Sequence, residues 1–432
     1  MKEAMEVRIN TLLATVSAAA LLAAPAAADN KSTITQSSTN HTATVDQSLG
    51  VSGQSTITQT GTGNTATVDQ LDPGSRALGA TLNESTITQS NGGNVATVEQ
   101  IFRSLTASNT SNKSTIEQNG ADDDALVTQD GEGNTASGSQ LVGSYGRSMT
   151  ISQSGLGNIA SATQSGVGGS VSITQGVMGG AQSNSAIATV TQSGVNEVAI
   201  VSQIGDMNIA NLFQTGSDES GTLSQIGDDN LVNITQSGSN NTLLAVQTGD
   251  NNKVGSVMFT QSGIAGDVSI TQLGDNNAVE GSQAGSTNAM TLTQNGLNHM
   301  VNLAQAGSTN VFTSAQTGGF NAIGTALASF SQAGTSNLVN VVQTGTDNDI
   351  TGSQAGTSND LFIDQLGSDN TAVVAQSGTN GLIDILQNTS GAYANVAQSG
   401  GADNAAYVTQ SSLGAVSYIT QTGALNTATV IQ

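Results

Sequence analysis

At 432 residues, with only 9% charged and 3% aromatic side chains, the chain raises the question of low-complexity disorder before that of any fold. It has no cysteine, which excludes a disulfide framework and a thiolate metal site. The net charge of -23, with Lys253 the sole cationic side chain after Arg147, argues against nucleic acid as a partner, because phosphate binding needs clustered Lys and Arg.

The chain opens with Lys2 and Arg8, an apolar run from Leu12 to Ala24, then Pro25 and Ala26-Ala27-Ala28. This pattern predicts a secretory signal peptide over 1–28, cut after Ala28. The run is short for a membrane span, and no other stretch approaches the roughly 20 apolar residues that spanning needs. The mature chain, 29–432, is expected to be secreted and not integral to a membrane.

From Gln36 to Gln432, 34 glutamines recur in one register, and 25 of the 33 spacings are 11 residues, which points to a solenoid or array before any other architecture. The stretch Gln192, Gln203, Gln214, Gln225, Gln236, Gln247 shows the rule without interruption. In the copy from Gln203 to Gln214, glycine falls two after glutamine (Gly205) and asparagine five after (Asn208), and Asn208, Ala210, Leu212 and Gln214 alternate with the period of two that a strand requires. Val, Ile or Leu precedes nearly every register glutamine by two, as at Ile34, Val45, Ile57, Val68, Ile87 and Val98, a regularity that disorder has no reason to produce. After Pro25 only Pro73 remains, inside the longest insertion, as strand ladders require.

These residues predict an all-β chain: an amyloid-like β-solenoid of stacked strand-turn-strand coils of about 22 residues. Insertions are expected near 71–82, 101–111, 141–147, 176–186 and 317–326. Most of the long spacings fall on one edge of a two-strand coil, and a three-strand, 33-residue coil stays open as the alternative. A buried primary amide is costly unless all its donors and its acceptor are met, and a column of identical amides meets them by bonding copy to copy. The expected structural ladder is therefore Gln192, Gln203, Gln214, Gln225, Gln236 and Gln247 with Asn208, Asn230 and Asn241, and Gln214 and Gln225 are treated as neighbours in it. Gly194, Gly205, Gly216, Gly227, Gly238 and Gly249 are expected in turns with positive φ, and Asn at the fifth position is assigned to the same region.

The repeat resembles the curlin pattern Ser-x5-Gln-x-Gly-x2-Asn-x-Ala-x3-Gln. The run Gln59-Thr60-Gly61-Thr62-Gly63-Asn64-Thr65-Ala66-Thr67-Val68-Asp69-Gln70 matches it from the first Gln to the last, and the likeness extends over residues 30–432. The resemblance implies a secreted subunit that assembles with copies of itself into extracellular, curli-like amyloid fibres of a biofilm matrix on a Gram-negative cell. It also implies a nucleator subunit, outer-membrane export machinery, and adhesion to abiotic or host surfaces. The chain differs in having about 17 coils where familiar curlins have about five, and in lacking their separate export-targeting segment.

No cofactor, metal site or enzyme activity is expected. His41 and His299 both sit at the fifth position and read as substitutes for Asn. The acidic turns Gly227-Asp228-Asp229-Asn230, Gly249-Asp250-Asn251-Asn252 and Gly274-Asp275-Asn276-Asn277 read as ordinary Asp/Asn turns rather than calcium cages, and Asp122-Asp123-Asp124 as a solvated turn. Outward pairs such as Thr33 and Thr35 suggest an ice-binding array, but in the sequence they do not persist from coil to coil. The alternative to the fibre subunit is a monomeric solenoid adhesin whose insertions 71–82, 101–111 and 176–186 carry recognition.

Overall fold

A computed structural model describes residues 30–47, 53–71, 83–102, 110–143, 145–176 and 183–432. The expected signal peptide 1–28, most of the insertions at 71–82 and 101–111, and the centre of that at 176–186 lie outside these residues. The described residues are all-β, with no helix. Consequently no helix among them is long and apolar enough to cross a membrane. The chain divides between Asp218 and Glu219 into two compact units, each a parallel β-solenoid.

In the first unit the chain alternates between two parallel ladders. Lys31–Thr39 pairs with Gln54–Thr62, while the intervening Thr42–Asp46 pairs with Thr65–Leu71 in the second ladder. Each coil thus has two strands, and the three-strand alternative is removed. The same exchange continues to Ile209–Ser217 in one ladder and Val198–Ile204 in the other. The second unit repeats the plan, from Ser220–Ile226 to Thr427–Ile431 in one ladder and from Leu231–Ser239 to Val416–Thr422 in the other. Parallel pairing in register follows from the repeat: any shift by one residue would carry each buried aliphatic to the outer face.

Alternate residues face inward, and the core is narrow. Ile57, Ile87 and Ile116 stack in one ladder of the first unit, and Val68, Val98 and Val127 in the other, all essentially inaccessible to solvent. Size varies from coil to coil and is compensated locally. A Cβ on Gly138 would strike the sulfur of buried Met149, so the missing side chain makes room for the long one. In the second unit Phe330 meets Phe312 edge-on at 5.7 Å and is followed in its own column by the small space at Gly352. Such alternation of large and small residues keeps packing density near that of a crystal.

Extra residues leave the coils in two ways. Residues 141–143 and 145–147 follow the strand Thr135–Gln140 at a corner. The insertion expected at 317–326 instead lies at 324–329, in mid-strand between Ile323 and Phe330, and a smaller one over 255–258 interrupts pairing between Val254 and Phe259. Leu327 is 99% exposed at the tip of the former and Val257 83% at the tip of the latter.

The corners explain the glycines. Gly205, Gly216, Gly227, Gly238 and Gly249 have φ between 107° and 145°; Gly194 is outside that region. A second cause acts at the same position: a Cβ on Gly345 would fall inside the carbonyl oxygen of Gly367 in the next coil. The assignment of positive φ to Asn is corrected. The left-handed residue is the one before it, at the fourth position, where Met207, Asp218, Asp229, Asn240 and Asn251 have φ of 54° to 56°. Gly345→Ala is accordingly expected to lower the urea midpoint by several times as much as Gly400→Ala, where φ is 68° but no atom lies within 4 Å. The latter should cost only about 1 kcal/mol, the penalty for an L-residue in the left-handed region; equal midpoints would refute the steric reading.

Candidate functional site

The feature with chemical character is the set of buried amides. In the first unit Gln36, Gln59, Gln89, Gln118, Gln140, Gln164, Gln192 and Gln214 form one column, each Nε2 donating to the Oε1 of the next at 2.6–3.0 Å. Gln47 through Gln203 form the other at 2.6–2.9 Å. In the second unit the columns run from Gln236 to Gln421 and from Gln225 through Gln247 to Gln432, the last step at 3.3 Å. The remaining amide hydrogen is taken by the main chain: Gln343 Nε2 also reaches the carbonyls of Ala322 and Asn348 at 3.1 and 2.8 Å. Every donor and acceptor of the side chain is therefore used in a dry core.

This geometry corrects one expectation. Gln192 bonds Gln214, not Gln203, because consecutive register glutamines lie on opposite ladders. Gln214 and Gln225 are therefore not neighbours in one column.

Asparagine does different work from glutamine: it clamps the corner. Asn337 Nδ2 donates to the carbonyls of Ala333 and Gly356 at 2.8 and 3.0 Å, and its Oδ1 accepts the backbone N–H of Asn359 in the next coil at 3.0 Å. Among the expected residues, Asn208 donates to Ile204 O, Asn230 to Gly249 O, and Asn241 to Ser237 O and Gly263 O. Both histidines occupy this clamp. His41 Nδ1 accepts the N–H of Asn64 at 3.3 Å and Nε2 donates to Ser37 O at 3.0 Å, which reproduces the two roles of the amide. His299 Nε2 meets Asn295 O, and burial lowers its pKa.

Carboxylates replace asparagine in the clamp position at Asp123, Glu197 and Glu219. Asp123 is not solvated; it is fully buried and forms an ion pair with Arg147 at 2.9 Å, in the next coil of the same corner. Arg147 also donates to the carbonyls of Gln164 and Leu141, so the charge is satisfied on all sides and pins the corner where 141–147 departs. Glu219, fully buried, accepts from Asn241 Nδ2 at 3.1 Å. The available signal was position: Asp123, Glu197 and Glu219 each fall five after a register glutamine. On the outer face, stacked Asp46, Asp69 and Glu99 repel one another, and burial together with these neighbours raises the Asp69 pKa.

The acidic turns are linked by hydrogen bonds, Asp250 accepting from Asp228 N and Asp275 from Asp250 N at 2.8 and 2.9 Å. Among the described residues no three His, Asp or Glu side chains converge as a metal site would require.

Two predictions follow from this geometry. Replacing Gln343 by Leu orphans one amide hydrogen on Gln316 and one acceptor on Gln365, and replacing Gln343 and Gln365 together orphans only the same number at the ends of a longer gap. At about 1–3 kcal/mol per orphaned group, the double mutant should be at least ~2 kcal/mol more stable than the sum of the singles predicts; additive urea midpoints would contradict the column. Burial pushes the Glu219 carboxyl up to about 7, against a smaller opposite pull from Asn241. The folded state then keeps a proton that the unfolded chain releases, so this contribution is complete below the ordinary value of 4.5 and is lost as pH rises to about 7. Glu219→Gln should lose less stability than wild type between pH 5 and pH 8 in urea melts.

Comparison with known families places this geometry. The curlin-associated repeat matches residues 208–238, 227–255, 334–367 and 356–388. No curated protein matches the sequence. Each matched segment spans more than one two-strand coil and includes the glutamine columns and glycine corners described above. Residues 208–255 and 334–388 thus carry curlin-associated repeats.

Proposed function

We propose that this chain is exported, loses residues 1–28 as a signal peptide, and polymerises end to end into extracellular amyloid fibres of a biofilm matrix that adhere to surfaces. A nucleating subunit and outer-membrane export machinery are the partners this reading requires. Curlin repeats are those of a curli-like fibre subunit, and the finer statements rest on that. The observation that carries the reading is the commensurate cross-section of the coils. Within each unit every coil offers the next the same two strand edges and the same glutamine amides, so the outermost strands are templates for a further copy. Among the described residues, strand Lys31–Thr39 has one ladder partner, as have Val416–Thr422 and Thr427–Ile431. Docking the latter edge of one subunit on the former edge of the next continues both columns.

Acidity regulates the process. Stacked like charges lie within the Debye length of about 10 Å at 0.1 M salt, so salt, divalent cations or a pH falling toward 4.1 should speed assembly. Asp69, Asp349 and Asp364 have raised pKa values, chiefly from burial and secondarily from neighbouring carboxylates, and protonation relieves them in that direction.

Electron microscopy and a thioflavin time course of residues 29–432 test the proposal. Fibres that appear after a lag, and faster at pH 5 than at pH 8, are expected. A lasting monomer with sheet-rich circular dichroism would overturn it in favour of a solitary adhesin. Lys in place of Ala428 and Val430 should abolish elongation from preformed seeds at that edge, and wild-type growth would refute end docking.

A further inference from the structure

The outer face of the first unit's first ladder carries two straight ranks of hydroxyls. In one rank Thr33, Thr56, Thr86, Thr115, Ser137, Ser161 and Thr189 are in register; in the other stand Thr35, Thr58, Thr88, Glu117, Ser139, Thr163 and Thr191. Over seven successive coils Glu117 alone departs from Thr or Ser. The expectation that such pairs do not persist from coil to coil is therefore corrected. Insertions conceal the array in the sequence, since Thr58 and Thr88 are neighbours across 30 residues.

Among the described residues no hydroxyl of either rank finds a hydrogen-bond partner, and each of these residues is exposed or half-buried. Parallel pairing sets the spacing between coils at about 4.8 Å, and two residues of strand set the spacing between ranks at roughly 6.7 Å. Seven coils make a rigid net roughly 29 Å long. The opposite ladder in the same coils has only a broken version of the net: Leu126 and Ile200 interrupt one of its ranks, and Asp46, Asp69 and Glu99 open the other with carboxylates. Within the two ranks Glu117 is the one charged side chain, and the charges of the next outward row, Lys31, Glu84 and Lys113, lie to one side of the net.

We propose that this hydroxyl net binds the surface of ice. Oxygen rows on the prism faces of ice repeat on nearly the same two lengths, and each Thr or Ser hydroxyl can donate and accept as a lattice water does. Preorganisation supplies what a flexible hydroxyl-rich segment lacks, because the backbone ladder already holds the rows in place. A crystalline polysaccharide is a poorer fit, since the net holds no aromatic ring on which a sugar could stack. Pairing of two copies through this face would bury polar groups already well hydrated, for little gain. The inference is independent of fibre formation and applies to monomer and fibre alike.

The test uses the chain 29–432 as monomer and as seeded fibre, with ice-affinity partitioning and inhibition of ice recrystallisation as readouts. Wild type should enter growing ice at least tenfold more than serum albumin. Thr56→Lys/Thr86→Lys should lose that enrichment, and Thr67→Lys/Thr97→Lys, which adds the same charge to the opposite face, should keep it. Circular dichroism checks the fold, and Thr56→Gln/Thr86→Gln, uncharged but too long for the net, replaces any Lys variant that fails to fold. Wild-type exclusion from ice, or equal enrichment of both Lys variants, overturns the proposal. So does capture by microcrystalline cellulose, or dimerisation in sedimentation, that the first Lys pair abolishes while ice readouts stay at the albumin level.

Discussion

A primary amide in a dry interior is the constraint on which this structure depends. Glutamine brings one acceptor and two hydrogens into a core too narrow for water, and each orphaned group costs on the order of 1–3 kcal/mol. Only another glutamine, one coil away and in the same rotamer, meets the demand at every level. Parallel strands, zero register shift and a constant coil cross-section all follow from that requirement. The aliphatics two residues before each glutamine supply burial, but they tolerate exchange among Ile, Val, Leu, Ala, Phe and Gly, as positions Ile234, Phe259 and Leu303 illustrate. Glutamine at the column does not vary.

The corner obeys a looser rule. It needs an acceptor for the next coil's N–H and a donor for a carbonyl four residues back, and asparagine supplies both. Histidine does the same with its two ring nitrogens at His41. Where carboxylates enter, the consequences differ: Asp123 is bonded by the Arg147 guanidinium, whereas Glu219 is met by the Asn241 amide and is driven toward neutrality by burial. The same position thus yields a neutral clamp, an ion pair or a titrating group, according to what the adjacent coil provides.

Much of this was legible in the residues. The strand period, the two-strand coil and the buried glutamines follow from spacing and from the edge on which insertions fall. The left-handed fourth position was not legible, because Met207, Ala265 and Phe320 give no hint of positive φ; the backbone bonds of the corner impose it. Neighbour relations were misjudged where they depend on the coil rather than the repeat, as with Gln214 and Gln225. The hydroxyl net and the Asp123–Arg147 pair were hidden for a related reason: insertions of unequal length separate residues that the ladders bring side by side.

Solid-state NMR of fibres grown from glutamine labelled with carbon-13 and nitrogen-15, resolved by single substitutions, tests the central claim most directly. The account predicts side-chain amide contacts between Gln343 and Gln365, whose Nε2 and Oε1 are 2.8 Å apart, and none between Gln343 and Gln354, which lie on opposite ladders. Contacts between glutamines 11 residues apart, or amide nitrogens that exchange freely with water, would contradict it.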